Sequence, residues 1–160
     1  MPDDAMFIPF AAEEVGAGTG SHPKAPKSKR IPIIPVPADA PPQRFRHPRH
    51  GFPTCEYEYR LATGELVGYA LRFDFQHDDG TPDKEVLPVT YCDLDEGKRG
   101  WCANGIPAPR PLYGLPELLA SPRAPVIVTE GEKKADVVPT LFPGYFGTTS
   151  MGGARAAKKI

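Results

Sequence analysis

No stretch of this chain approaches the ~18 consecutive apolar residues that span a bilayer, so no membrane partner is expected. The amino terminus, Met1-Pro2-Asp3-Asp4, begins acidic. It lacks the basic segment and following apolar run of a secretory signal. Cysteine is scarce: Cys55, Cys92 and Cys102 are odd in number and widely spaced. That spacing makes no disulfide framework, and a reducing cytoplasm is the expected setting. No internal repeat is visible. With 40% hydrophobic residues, 24% charged residues and a net charge of -1, the composition is ordinary for a soluble protein.

Proline is abundant and unevenly placed. Between Ser21 and His50 stand Pro23, Pro26, Pro32, Pro35, Pro37, Pro41, Pro42 and Pro48. The same stretch carries Lys24, Lys27, Lys29, Arg30, Arg44, Arg46 and Arg49 against a single acid, Asp39. Proline fixes φ and removes a backbone donor, so such a stretch favours extended, solvated chain over packed structure. Residues 1–53 therefore read as a disordered or loosely docked basic arm. About 105 residues remain for ordered structure, enough for one modest core or two small subdomains.

From Cys55 the patterning changes to period two, which signals half-buried strands. Tyr57, Tyr59 and Leu61 alternate with charged residues, and Thr63-Gly64 supplies a turn. Val67, Tyr69, Leu71, Phe73 and Phe75 then mark a longer strand. Val86 to Cys92 predicts a third, placed at an edge because Pro88 cannot donate to a ladder. Trp101-Cys102 opens a fourth. Residues 54–106 thus predict a small antiparallel β-meander, followed by a proline-rich linker with a short helix over 107–123. Beyond it, Val126–Thr129 reads as a strand, Glu130-Gly131 as a turn, and a charged helix runs to about Val138 before Pro139. Tyr145–Thr149 is a second strand, and Met151-Gly152-Gly153 leads into a basic helix start at Ala154-Arg155. Strand, helix and strand at this spacing make a parallel βαβ unit over 124–160.

A carboxylate at the carboxyl end of a strand faces the crevice where ligands bind in open α/β sheets. Glu130 stands there, and Gly131 is placed to let the backbone turn sharply beside it. Its plain alternative is a first-turn acid complementing the helix dipole, the role that suits Glu132 better. The glycine turn, Ser150-Met151-Gly152-Gly153, opens a helix whose free N–H groups would bind anions. A plain loop is the alternative, as is a solvated face for Arg155, Lys158 and Lys159.

From roughly Tyr57 to Ile160 the chain resembles Toprim-domain primases and primase–helicases of phages, plasmids and mobile elements. The resemblance rests on the Tyr-x-Tyr hairpin and on Arg110-Pro111-Leu112-Tyr113-Gly114-Leu115. It rests also on the Val-Ile-Val-Thr-Glu-Gly-Glu-Lys run over 126–133 and on Thr-Ser-Met-Gly-Gly-Ala at 149–154. It implies a Rossmann-like Toprim sheet of α/β class and nucleotidyl transfer in primer synthesis. It implies Glu130 as the catalytic, Mg²⁺-holding acid. Gly131, Lys133, Ser150, Gly152 and Gly153 would approach phosphate. Nucleotides and a single-stranded DNA template would be the partners, with a helicase domain or partner alongside.

Toprim chemistry also needs an Asp-x-Asp pair on a later strand. Downstream of Glu130 the only aspartate is Asp136, inside the helix, and Asp93-Leu94-Asp95 lies upstream in a turn. The chain reaches Ile160 before the fold is complete, so it is expected to be truncated and inactive alone. Zinc is not expected, because Cys55, Cys92, Cys102, His47 and His50 show none of the close ligand pairs of structural sites. Buried free thiols are the favoured reading. Two other functions stay open: a non-catalytic single-stranded nucleic-acid-binding module using the arm or the meander aromatics, and a small-molecule phosphate binder.

Overall fold

A computed structural model describes residues 30–153. Seven strands, two α-helices and a 3-10 turn at Asp95–Gly97 lie among the described residues, the strands and α-helices in the order β1 (Ile31–Pro32), β2 (Cys55–Arg60), β3 (Leu66–Gln76), β4 (Pro82–Asp93), β5 (Arg99–Ala103), α1 (Leu115–Ala120), β6 (Val126–Val128), α2 (Glu132–Leu141), β7 (Phe146–Thr148). The protein is mixed α/β with a mostly antiparallel sheet and few helices. The meander is antiparallel throughout. β6 and β7 form a separate parallel pair joined through α2.

The period-two segments become the strands expected of them, with one break in phase. Tyr59 pairs with Gly68 but Arg60 pairs with Leu66, leaving Val67 as an extra residue. A bulge of this kind reverses the alternation beyond it. Val67 accordingly packs with Tyr57, Tyr59, Ala70, Ile106 and Met151, whereas Leu71 and Phe73 pack with Phe45 and Val89 on the opposite face.

The edge position expected for the third strand is corrected. β4 is central: Pro82–Val89 pairs with β3, and Val89–Asp93 pairs with β5 on its other edge. Pro88 survives because it lies just outside the β5 ladder. Its carbonyl accepts the Asn104 amide at 3.1 Å on that side, so the donor it lacks faces the same side, one residue beyond the last ladder pair, Val89–Ala103.

Of the two readings of the arm, the docked one describes it from residue 30 onward; residues 1–29 lie outside the described part of the chain. Ile31 and Pro32 pair with Asp93 and Cys92, and the Ile33 amide donates to the Tyr91 carbonyl at 2.8 Å. The Val36 amide donates to Leu66, and the Trp101 indole donates to the Pro41 carbonyl at 2.7 Å. Phe45 is buried against Phe73. Sealing one such ring stabilises the docked arm by about 1.5–3 kcal/mol. Extended proline-rich chain has low conformational entropy to lose, so a few side-chain anchors hold it without a continuous ladder.

The sheet is therefore sandwiched. The arm covers one face, and the other carries the cluster that Met151 enters from the βαβ unit and Tyr113 from the linker before α1. The segment before α1 borders β7: the Tyr113 amide donates to the Thr149 carbonyl at 2.9 Å, and the Thr148 hydroxyl donates to the Tyr113 carbonyl at 2.7 Å. Pro116 occupies the first turn of α1, where its missing N–H costs nothing. α2 continues through Pro139 to Leu141, past the expected stop near Val138. Among the described residues, no helix is long and apolar enough to cross a membrane.

Candidate functional site

β6 and β7 run parallel, so their carboxyl ends meet at one rim. Three bonds tie that rim together. The Thr129 amide donates to the Thr148 carbonyl at 2.8 Å, the Thr149 hydroxyl donates to the Thr129 carbonyl at 2.8 Å, and the Thr129 hydroxyl donates to Gly131 at 3.0 Å. The turn after β7 closes on itself, the Gly153 amide donating to Ser150 and the Ser150 hydroxyl donating to the Gly153 carbonyl, each at 2.9 Å. Gly153 has φ of 70°, and a Cβ there would lie 2.9 Å from the Glu130 carbonyl oxygen. A glycine is needed at that point both for its left-handed backbone and for the close approach.

Glu130, Gly131, Ser150, Gly152 and Gly153 thus come to one rim, as the strand order implied. The Glu130 side chain is 80% exposed and its carboxylate lies 2.6 Å from the Lys134 ammonium, one helical turn on. That bond, then the lysine's charge, holds the carboxyl below its usual range. Gly131 is extended, with φ of -173°, so it makes no sharp turn and any residue could adopt its backbone. Nothing lies within 4 Å of where its Cβ would be, and the space beside it is open. The Lys133 ammonium is 3.9 Å from Asp74 on β3. The hydroxyl of Ser150 and the amide of Gly153 are already committed within the turn. The expected basic residues Arg155, Lys158 and Lys159 lie outside the described residues.

The donor set does not fit Mg²⁺ as it stands. The other charged groups acting on Glu130 are Lys134 and Lys84, both cationic. A hard divalent cation in a protein site takes oxygen ligands from carboxylates and substrate phosphates. Asp136 accepts the Tyr113 hydroxyl at 2.8 Å, and Asp93 accepts from Arg99 at 3.0 Å, each engaged elsewhere.

Glu132 departs from the dipole role expected of it. It lies in the first turn of α2 but is buried and accepts the Tyr59 hydroxyl at 2.6 Å. Burial, followed by the nearby carboxylate, pushes the Tyr59 hydroxyl well above its ordinary range. Cys92 and Cys102 are buried free thiols on adjacent strands, and Cys55 is half-buried. The two neighbouring thiols act on each other, which pulls Cys92 below the usual thiol range and, together with burial, raises Cys102.

A second polar cluster lies on the arm-covered face. His47 and His50 come together with Glu85 of β4, their donor atoms all within 4.8 Å of one another. His47 and His50 stand among the metal candidates of the sequence, read there as lacking a close ligand pair. Glu85 is absent from that reading, because its partnership depends on the arm folding back over β3 and β4.

No protein-family model, curated protein or solved structure matches the chain. The class defined by fold and site is a mixed α/β protein with an exposed acid at the carboxyl rim of a parallel strand pair.

Proposed function

We propose that this chain is a Toprim-like component of DNA replication, related to the metal-dependent nucleotidyl transferases that make primers. The observation that carries this reading is the placement of Glu130. An acid with its side chain 80% exposed sits where two parallel strands end, flanked by open space at Gly131 and by a glycine turn. Phosphoryl transfer asks for such a rim, because charge develops on the transferring oxygens and must be met by fixed groups or bound cations. Glu130 supplies one acid, and Lys133 and Lys134 supply cations for a nucleotide phosphate. Among the described residues no second carboxylate joins Glu130 at the rim, so this reading assigns Glu130 the role of the acid and the lysines the phosphate contacts.

The test is a titration of the protein with Mg²⁺ and a nucleoside triphosphate, followed by backbone amide shifts. Shifts confined to 129–134 and 149–153, weakened in E130Q and G131A, are the expected outcome. Both variants should melt with the wild type, since Glu130 is exposed and Gly131 has room for a methyl group. Shifts elsewhere, or none, would end this reading.

A second reading, single-stranded nucleic-acid binding without catalysis, has its own support. Arg44, Arg46 and Arg49 are exposed along the docked arm, and the Arg46 guanidinium lies 6.0 Å from the ring centroid of Phe52, itself 70% exposed. Cations beside an available aromatic ring are the usual means of holding a strand through its phosphates and one base. Tyr57, Tyr59 and Phe73 are buried and do not serve as stacking platforms.

A further inference from the structure

We propose that His47, His50 and Glu85 form a binding site for a zinc-class divalent cation on the sheet face opposite Glu130. Two of the three ligand-to-ligand distances are already close to those of such a site. His47 Nε2 is 3.6 Å and His50 Nε2 is 3.3 Å from the same Glu85 Oε2. Metal–ligand bonds of ~2.0–2.1 Å in a tetrahedral site put neighbouring ligands roughly 3.3–3.4 Å apart. Two imidazoles and one carboxylate are a zinc donor set that leaves a fourth position for water. Imidazole nitrogen also separates this class of ion from Mg²⁺ and Ca²⁺, which prefer oxygen.

The setting is one-sided. The turn bearing both histidines is closed by the His47 amide donating to Gly51 at 2.7 Å and the Gly51 amide donating back at 3.0 Å. The His50 ring stacks on Phe75 at 4.1 Å, and His47 packs against Phe73 at 5.2 Å. The histidine side chains are 12% and 16% exposed and Glu85 is 42% exposed, so the ion would enter from the carboxylate side. An apolar backing of this kind limits solvent around a bound ion and fixes its ligands.

One movement is required. His47 Nδ1 accepts the Arg49 and His50 amides, each at 3.2 Å, so in the neutral, metal-free ring the proton sits on Nε2, 3.6 Å from Glu85. The two imidazole rings also lie only 15° from parallel, and one ion cannot sit in the plane of both. Metal uptake must therefore rotate His47, move its proton from Nε2 to Nδ1 and release the two amides. His50 and Glu85 are the ready pair, and His47 joins them by leaving its turn bonds.

The experiment is Zn²⁺ titration of the metal-free 160-residue protein by calorimetry, with amide exchange read in parallel. Wild type should take up a single equivalent, and H50A and E85Q should each bind at least about tenfold more weakly. H77A should bind as wild type, because the His77–Asp83 pair, 3.1 Å apart, is an exposed pair outside the cluster. The Arg49 and His50 amides should exchange faster when zinc is bound. E85Q, which changes an exposed carboxylate to its amide, keeps the test open if H50A fails to fold. Uptake unchanged in E85Q, loss of uptake in H77A, or Arg49 and His50 amides indifferent to saturating zinc would each overturn the proposal.

Discussion

The Tyr59 hydroxyl donates to Glu132 Oε1 at 2.6 Å, and through this bond the antiparallel sheet grips the helix that follows Glu130. Tyr59 is fully buried in β2, and Glu132 opens α2. Y59F leaves a buried carboxylate without its donor. The cost of stranding such a group is about 1–3 kcal/mol. Urea denaturation of Y59F, E132A and the double variant should show a coupling of similar size, since the second substitution has no bond left to break. Additive effects would place the adhesion of the two units elsewhere.

The same bond sets an alkaline limit on stability. Tyrosine ionises near pH 10 in an unfolded chain, whereas burial and then Glu132 raise the folded Tyr59 above that value. Its contribution is therefore complete below about pH 10 and lost as pH climbs, because only the unfolded chain releases the proton. The slope for this one group reaches about 1.4 kcal/mol per pH unit. Y59F lacks that slope, so the advantage of wild type over Y59F should shrink above pH 10. Tyr113, also raised by burial and by its bond to Asp136, leaves a further alkaline loss common to both proteins. Parallel stability curves through pH 11 would contradict this.

Gly147 of β7 is filled from the other side by α2. A Cβ there would overlap the Ala135 carbonyl and lie 2.8 Å from Val138 Cβ. Ala135 is four residues before Pro139, which has no N–H to offer it, so the carbonyl without its usual helical donor lies where the strand crosses. G147A must push α2 off β7. Overpacking of this kind costs about 1–3 kcal/mol, and the strand amides of 146–148 should lose exchange protection first. G131A, where the backbone is extended and the space open, is the matched control. Equal stability of the two variants would remove the packing argument.

The meander was legible because its signal is local. Alternation in Tyr57–Tyr59 and Leu71–Phe75 forms β2 and β3 without knowledge of anything distant. The rim was legible for the same reason, a β-branched run ending on Glu130-Gly131. Three features were not. Val67 joins the wrong face because a bulge depends on register between strands. The arm docks through Phe45, Trp101 and scattered backbone bonds that proline content conceals. Glu132 looks like a dipole acid in the helix alone, and only the arrival of Tyr59 from 73 residues away makes it interior.

The docked arm also changes how nucleic-acid binding should be tested. Deleting residues 1–53 would remove Phe45 and β1 from the fold, confusing lost binding with lost structure. Surface substitutions avoid this, since Arg44, Arg46, Arg49 and Phe52 have exposed positions. Each phosphate neutralised on a single strand contributes about 0.7 to the slope of log affinity against log salt. Replacing the three arginines with alanine should therefore flatten that slope by as much as about 2. F52A should instead lower affinity about evenly across salt concentrations, because a stacked base carries no counterion. Fluorescence anisotropy with an oligothymidylate from low to physiological salt reads both. An unchanged slope in the triple variant would assign any binding to another surface.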